Sequence, residues 1–487
     1  EIRLSLVGSE MCIRDSMGFV FLSCSDDFLN PLPETAVAVE SFFQTDADVL
    51  AGVIGIYDAL QGVNENTTTN IGDSNRGVQF EHLLTEHRSD NTRNATLEGS
   101  KSDFHRYIVN PNNVESEDYY QSMYEVIFRA NNILNFVDVA DAGNQAKYTA
   151  EAKFLRAYAY FNLVRLYSDV PLVTEVVIAT DDEALFTRIP EAQIYAQIVA
   201  DLQEAVNVLD NSSKSRASKA AAQGILAKVY LTQPNKNYSG AKQLCEAIIN
   251  SGKFELESNY SDVFYDELND EIIFAIQYTA GNSAESQSFS SEFTSTFRQG
   301  REDGQNIVND NLIADFAAYG GDRTPVSFVT FGTTSEVAKF LPEGTDLSVN
   351  PPDYGLSARD AGNDYIALRY ADVLLMHVEA SIGDGTNTTD IEALASFQKI
   401  KDRAFPDTAP NSVSSVSKSE LLKERRVELA FENQRWFDLI RFGVADEVLS
   451  AHAEEMGYVF TSRALLLPIP AREINISGGL LTQNPGY

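Results

Sequence analysis

The residue types that carry out catalysis are present in this chain, but the spacings that catalysis requires are absent. There is no Gly-x-Ser-x-Gly turn for a serine nucleophile, no glycine-rich loop before Lys-Ser or Lys-Thr for a phosphate, and no His-Glu-x-x-His pair for zinc. The 71 acidic residues leave room for a glycosidase-like pair of carboxylates, but no spacing singles one out. The motifs therefore provide no support for an enzyme.

Metal-ligating residue types also occur without the spacing of a metal site. Three of the five histidines, His82, His87 and His105, fall in one segment, but no cysteine or second tight pair completes a zinc site. Residues 384–390 alternate oxygen-bearing side chains but lack the late bidentate Glu of a calcium-binding loop, so a helix-joining turn with an N-cap is favoured. We expect no cofactor and no bound metal.

Apolar residues recur at helical spacing over most of the chain, which predicts a mainly helical fold. Any functional side chains must therefore be positioned by helices. Between residues 145 and 167 the apolar positions are separated by steps of 4, 3, 4, 4 and 3, and Pro190 begins another helix. Further helices are predicted at 218–231, 239–250, 365–382, 389–403 and 417–442. A loose alanine-rich similarity between consecutive helices favours tetratricopeptide-like helix pairs.

Two irregular segments interrupt this helical pattern. Residues 271–278 are typical of a buried strand, and residues 279–363 that follow are rich in Gly, Ser, Asp and Pro, with no helical period over most of their length. Residues 64–101 form a second such segment. Long irregular stretches in a compact protein are usually functional, and loops on a rigid frame commonly carry binding groups. We therefore expect a binding surface there.

The composition excludes several classes of partner. The chain has 487 residues, with 37 basic and 71 acidic side chains and a net charge of −34. Binding to nucleic acid needs a cationic surface, and direct binding to an anionic membrane surface is disfavoured by the same repulsion. A hydrophobic content of 44% indicates a globular protein, and the length suggests two or three domains or one large one. Three cysteines are too few for a disulfide framework.

The N-terminal residues indicate a lipid anchor. A short apolar run at residues 17–24 ends in Ser-Cys, and an acidic stretch follows Cys24 at once. A small residue before the cysteine suits signal-peptidase cleavage and lipidation of Cys24, which would tether the chain to a membrane. The alternative is an inert thiol in a fragment of buried strand. Residues 1–16 lack periodicity and resemble translated sequencing-adapter sequence, so we interpret them as foreign to the protein.

Several strings resemble the SusD/RagB family in order and spacing from Cys24 to Tyr487. The similar strings are the signature helix at 152–173, a second signature at 365–376, a third at 424–441, and the ending Leu-Pro-Ile-Pro at 467–470 with Gln-Asn-Pro-Gly-Tyr at 483–487. Opposed charges in the third signature are predicted to pair along the surface of one helix. They are Arg425, Arg426, Glu428, Glu432, Arg435, Asp438 and Arg441.

The resemblance implies a mainly α fold. About four tetratricopeptide-like helix pairs would form a right-handed scaffold with an irregular, loop-rich ligand-binding part and a few short strands. Residues 17–24 would be a truncated lipoprotein signal remnant, residues 25–235 the N-terminal part with the helix pairs, and residues 236–487 the C-terminal part with the loop-rich insertion.

The resemblance also implies a function. Family members are non-catalytic, surface-exposed lipoproteins of the Bacteroidetes outer membrane that capture oligo- or polysaccharide for a SusC-like TonB-dependent transporter and need no cofactor. The strong acidity disfavours an anionic glycan, so a neutral one is expected. Binding of peptides or another nutrient, a glycoside hydrolase, and a structural tetratricopeptide scaffold in the cytoplasm are the alternatives.

Candidate ligand-binding residues come from the irregular segments. Sugars stack their C–H faces on aromatic rings, and planar polar groups meet their hydroxyls. The single tryptophan, Trp436, lies in the third signature and is expected in the core, so the aromatic platforms must be Tyr or Phe. We predict ligand binding by Asp90, Asn91, Arg93, Asn94, Phe104, Tyr278, Arg298, Tyr319, Arg323 and Tyr354, with Phe80, Tyr107, Phe289 and Phe293 as further platforms. For Arg323, the alternative is that it ties down its loop.

Overall fold

The computed structural model describes residues 42–62, 75–177, 183–282, 284–293, 306–342, 345–346, 361–407 and 413–487. Thr45–Tyr487 form one compact unit. The segment interpreted as foreign, the signal remnant with Cys24, and the predicted ligand residues Arg298 and Tyr354 lie outside the described residues. Within the described ranges, no helix combines the length and the apolar character that crossing a membrane requires.

Helices dominate the described part of the chain. They are α1 (Asp46–Gln61), α2 (Gly77–Thr85), α3 (Val114–Phe136), α4 (Ala142–Tyr167), α5 (Glu191–Val208), α6 (Lys219–Thr232), α7 (Tyr238–Asn250), α8 (Asp262–Tyr265), α9 (Phe289–Glu292), α10 (Asp310–Tyr319), α11 (Thr324–Ser327), α12 (Tyr370–Ile382), α13 (Ile391–Ala404), α14 (Lys418–Glu428), α15 (Arg435–Arg441), α16 (Ala445–Met456) and α17 (Ala471–Ile476). The strands are short. They are β1 (Thr92–Arg93), β2 (Val170–Pro171), β3 (Arg188–Ile189), β4 (Ile272–Ile276), β5 (Ile307–Val308), β6 (Phe328–Phe331), β7 (Thr334–Val337), β8 (Tyr365–Arg369), β9 (Asn387–Thr388) and β10 (Val416–Ser417).

The long helices stack on their neighbours in sequence. Helix α3 packs on α4, α4 on α5, α5 on α6 and α6 on α7, and the stack continues through α12 to α13. Small residues allow the close approach: Gly224 of α6 has no Cβ, and one placed there would lie 2.4 Å from a side-chain carbon of Leu368 on β8. The mainly α architecture with few short strands, predicted from helical spacing, is confirmed.

The strands connect segments that are distant in sequence. A four-stranded sheet has the order β1-β5-β7-β6, and in it Thr92 of β1 pairs antiparallel with Val308 of β5. Antiparallel pairs β2–β3, β4–β8 and β9–β10 complete the pairing among the described residues. The β1–β5 pair joins the two irregular segments, as a shared binding surface requires.

Two predicted helices are wrong in part. Residues 365–382 begin with the strand β8, because five consecutive buried residues pair with the equally buried β4, and the helix starts only at Tyr370. Residues 417–442 form two helices, α14 and α15, because Phe431 and Asn433 adopt left-handed backbone conformations with φ of 69° and 59°. The predicted irregular segment 279–363 also contains the helix α10 and the β6–β7 hairpin.

Candidate functional site

Asp90 and Asn91 lie just before β1 in a buried ion-pair cluster. Arg435 donates to both carboxylate oxygens of Asp90 at 2.7 and 2.9 Å, and Arg426 lies 3.0 Å from the same carboxylate. Arg426 Nε also donates to Asn91 Oδ1 at 2.9 Å. Burial raises the pKa of Asp90, but the two guanidinium charges outweigh it and hold the pKa well below its usual range. Asp90 therefore stays ionised and holds two arginines in place.

These arginines line an open groove between α10, α14 and α16, which we call the Arg426 groove. Its volume is about 450 Å³. Its lining residues include Asn311, Asp315, Lys423, Arg426, Arg435, Glu447, His452 and Glu455. A smaller depression of about 140 Å³ adjoins it, shares Asn311, His452 and Glu455 with it, and includes the predicted ligand residue Arg93. The described lining of the groove has mixed charge and contains no Phe, Tyr or Trp.

A second concavity, which we call the Tyr265 cavity, lies where α8, β4 and β8 meet the irregular segment 279–363. Its volume is about 200 Å³. It is lined by Val263, Phe264, Tyr265, Asp266, Glu267, Ile272, Ala280, Pro342, Gly362, Asn363, Asp364 and Ile366. The described lining contains no basic side chain, so the cavity is acidic in charge.

The polar groups of the Tyr265 cavity are suited to hydroxyl recognition. Burial raises the pKa of Tyr265 to about 12, so its hydroxyl stays protonated and is able both to donate and to accept. Asp364 accepts a hydrogen bond from the backbone N–H of Tyr278 at 2.9 Å, and burial raises its pKa to about 7 despite that bond. Asn363 donates to the carbonyl of Leu341 at 3.0 Å, which orients its amide. An aromatic ring beside planar polar groups is the combination that sugar binding needs.

Tyr278 contributes to this cavity through its backbone rather than its ring. The side chain is 5% exposed and packs edge-on against Phe289, with 5.8 Å between ring centroids. Phe289 and Phe293 are buried in the same aromatic cluster. The expectation of a sugar platform at these three rings is therefore corrected, because the rings are buried against one another. Phe80, Phe104 and Tyr107 are also buried.

Arg323 ties down its own loop, which was the alternative to ligand binding for this residue. The side chain is 0% exposed, and one guanidinium nitrogen lies 2.7 Å from Glu424 and 2.9 Å from Glu428. It also donates to the carbonyls of Gly320 and Tyr319 in its own loop. The prediction that Arg323 binds the ligand is therefore corrected, because its guanidinium is buried and fully engaged by these groups.

Three other predicted ligand residues lie outside the Tyr265 cavity. Arg93 is half-buried beside the Arg426 groove, and the buried Asn94 lies with its amide nitrogen 3.2 Å from Thr96 Oγ1. Tyr319 is half-buried on α10, with the ammonium of Lys423 5.7 Å from its ring centroid. Binding by these three residues stays a prediction.

The charges of the third signature are buried, and most of them pair between elements. Arg425 binds Asp372 on α12 at 2.8 Å and Asp438 on α15 at 2.8 Å, whereas Arg441 binds Asp438 within α15 at 2.6 Å. The expected pairing along the surface of one helix is therefore wrong for Arg425 and is found only for the buried Arg441–Asp438 pair. Trp436 is fully buried beneath the guanidinium of Arg88, 4.1 Å from the ring centroid, and its expected place in the core is confirmed.

Sequence reasoning missed the main residues of the Tyr265 cavity. Asn363 lies at the last position of the predicted irregular segment, and Asp364 directly follows it, so their position was a usable signal. Tyr265 lies outside both irregular segments, on the one-turn helix α8, and no local pattern distinguished it. The stack of paired helices itself places the protein in the class of tetratricopeptide-like helical scaffolds.

Comparison with known proteins identifies the family within this class. Residues 339–487 match the SusD family, and residues 46–231 match a SusD-like family described as starch-binding and associating with the outer membrane. The chain belongs to the SusD/RagB family, as its signatures predicted.

Individual relatives match over nearly the whole chain. SusD-like protein P2 of Formosa agariphila is 29% identical and covers 96% of this chain and 97% of its own length. A laminarin-binding SusD-like protein has a TM-score of 0.72 at 23% identity, over 91% of this chain and 100% of that chain. Surface glycan-binding protein A from Bacteroides thetaiotaomicron, solved with laminarihexaose, has a TM-score of 0.70 at 20% identity, over 90% and 99%. These two likenesses establish the fold.

Proposed function

We propose that this protein is a non-catalytic glycan-binding protein of the outer-membrane surface that captures oligo- or polysaccharide and delivers it to a SusC-like TonB-dependent transporter. The observation that carries the proposal is the whole-chain likeness to a laminarin-binding SusD-like protein and to a glycan-binding protein solved with laminarihexaose. Association with the outer membrane is part of the description of the family matched by residues 46–231. A lipid on Cys24 would supply the membrane anchor.

The Tyr265 cavity is the glycan site that we favour. Its half-exposed tyrosine offers a ring beside the carboxyl of Asp364 and the amide of Asn363. Sugar hydroxyls donate to carboxylates and accept from amides, so both groups have a use there. The Arg426 groove is larger but has no Phe, Tyr or Trp in its described lining.

A neutral glycan fits this cavity better than an anionic one. Asp266, Glu267 and Asp364 contribute carboxyl groups, and no Lys, Arg or His faces them from the described lining. Repulsion from these carboxylates, added to the net charge of −34, would oppose uronate or sulfate groups. We therefore propose a neutral oligo- or polysaccharide as the ligand.

Affinity electrophoresis tests this function directly. The purified protein should migrate more slowly in gels that contain a neutral polysaccharide such as laminarin, xyloglucan or starch, and should not be slowed by alginate, which is anionic. Absence of retention on every neutral polysaccharide of a broad panel would contradict glycan binding. Release of reducing ends from a retained polysaccharide would contradict the non-catalytic part of the proposal.

A further inference from the structure

Three helices of the stack bring a histidine and two glutamates to one point. Glu246 lies on α7, His377 on α12 and Glu392 in the first turn of α13. One possible ligand atom from each residue lies within 4.8 Å of the other two, and His377 Nε2 is 3.6 Å from Glu246 Oε1. That separation is too long for a hydrogen bond. It is close to the roughly 3.3 Å expected between two atoms that share a four-coordinate zinc at about 2.0–2.1 Å.

The imidazole of His377 is held in place and directed at this point. Its side chain is 2% exposed, and its Nδ1 lies 3.0 Å from Ser396 Oγ on α13. Its Nε2 is buried and has no hydrogen-bond partner within the described part of the chain. A buried nitrogen left without a partner is costly, and a bound cation would satisfy it. A metal-ligating histidine is commonly oriented in this way, by a hydrogen bond to its other nitrogen.

The surrounding charges favour a cation. Glu246, Glu392 and Asp390 provide three carboxylates, and Lys242 provides the facing ammonium, 2.8 Å from Asp390 and 3.6 Å from Glu246. One carboxylate oxygen of Asp390 is engaged by the backbone N–H groups of Glu392 and Ala393.

We propose that Glu246, His377 and Glu392 form a binding site for a divalent first-row transition-metal ion such as Zn²⁺. Imidazole nitrogen with two carboxylates suits zinc and its neighbours better than calcium or magnesium, which prefer oxygen alone. Glu392 is exposed, so the ion has a path from solvent. The ion would join α7, α12 and α13 and so fasten together three members of the helical stack.

Titration calorimetry with ZnCl₂ on chelator-treated full-length protein tests the site. The wild-type protein should show one site that is tighter than general binding to its many surface carboxylates. Glu392→Gln and Glu246→Gln should each weaken this binding at least about tenfold, because each removes one ligand. Glu454→Gln, which removes an exposed carboxylate on α16, is the matched control and should leave the tight site unchanged.

Several results would overturn the site. Equal zinc binding by Glu392→Gln, Glu454→Gln and the wild type would mean an adventitious ion only, and so would the absence of a tight site in the wild type. Glu392 is exposed, so its replacement is expected to leave folding intact, and unfolding curves without metal should confirm this for each variant. Retention on polysaccharide is a separate measurement, so failure of the metal site would leave the glycan proposal unaffected.

Discussion

The guanidinium of Arg426 lies 3.0 Å from the carboxylate of Asp90, although 336 positions separate the two residues. Arg435 binds the same carboxylate through two hydrogen bonds. One carboxylate before β1 therefore pairs with an arginine from α14 and with another from α15. This cluster holds the third signature against the irregular segment that supplied the predicted ligand residues Asp90, Asn91, Arg93 and Asn94.

Replacing Asp90 should strongly destabilise the protein. Asp90→Asn leaves Arg426 and Arg435 buried with reduced compensation, and breaking a buried ion pair from one side costs about 3–5 kcal/mol. The free energy of unfolding from urea titration is the measurement. Asp315→Asn is the matched control, since Asp315 pairs with the same Arg426 but is 26% exposed, and it should cost about 1 kcal/mol or less. Similar losses in both variants would contradict the role assigned to Asp90.

Removing the ring of Tyr265 should weaken glycan binding. Tyr265→Ala takes the aromatic surface out of the Tyr265 cavity, and an aromatic contact worth about 0.5–1.5 kcal/mol corresponds to a loss of up to about tenfold in affinity. Retention on the neutral polysaccharide that binds the wild-type protein is the measurement. Tyr230→Ala, at a half-buried tyrosine on α6 outside the cavity, is the control and should keep wild-type retention. Wild-type retention by Tyr265→Ala, or an equal loss in Tyr230→Ala, would contradict the Tyr265 cavity as the glycan site.

Acid should destabilise the protein through three buried histidines. Burial lowers the pKa of His82 to about 4, that of His105 to about 3, and that of His87 well below its usual value, so these rings stay neutral in the folded state. Below pH 6.5 the unfolded chain binds protons that the folded chain does not, so stability falls as the pH falls. For His105 alone the loss between pH 7 and pH 5 is about 2 kcal/mol.

The histidine effect is separable from the opposite effect of other groups. Burial raises the pKa of Glu86 and that of Asp364 to about 7, and these carboxyls gain stability on acidification. The test therefore compares variants: His105→Gln should show a smaller loss of unfolding free energy between pH 7 and pH 5 than the wild type. An equal loss in both proteins would show that His105 is not the titrating group.

Gly224 should not tolerate a side chain. A Cβ there would lie 2.4 Å from Leu368, which is buried on β8, and overpacking of this kind costs about 1–3 kcal/mol. Thermal unfolding of Gly224→Ala measures the cost, and adding Leu368→Ala should reduce the penalty for the alanine at 224. Gly143→Ala on α4 is the control, because nothing lies within 4 Å of its Cβ, and it should be neutral or slightly stabilising.

The helical stack was predictable because helical spacing is a local property. The predicted helix at 239–250, for example, corresponds to Tyr238–Asn250 in the structure. The strand at 365–369 was not predictable, because a short apolar run is the same pattern in a buried strand and in a buried helix. The break between α14 and α15 depends on the left-handed backbone conformations of Phe431 and Asn433. These two residue types alone do not predict such conformations.

The site was less predictable because its geometry depends on distant partners. Arg323 lies in an irregular segment and was therefore a reasonable candidate for a ligand contact. In the fold it pairs with Glu424 and Glu428, which lie more than 100 positions away in the sequence. Tyr265 lies in a short helix without a distinctive pattern, and only the approach of residues 362–364 makes it part of a cavity. The division of the chain at residues 235 and 236 stays a prediction.

The contacts of Asn484 have a consequence for the order in which the protein folds during its synthesis. Its amide donates to the carbonyls of Tyr167 at 3.0 Å and Leu467 at 2.7 Å, which fastens the last residues to the end of α4. Synthesis reaches Tyr167 317 residues before it reaches Asn484, so the first signature helix gains these contacts only after the intervening chain has been made. A nascent chain would therefore carry an incompletely packed α4 through most of its synthesis.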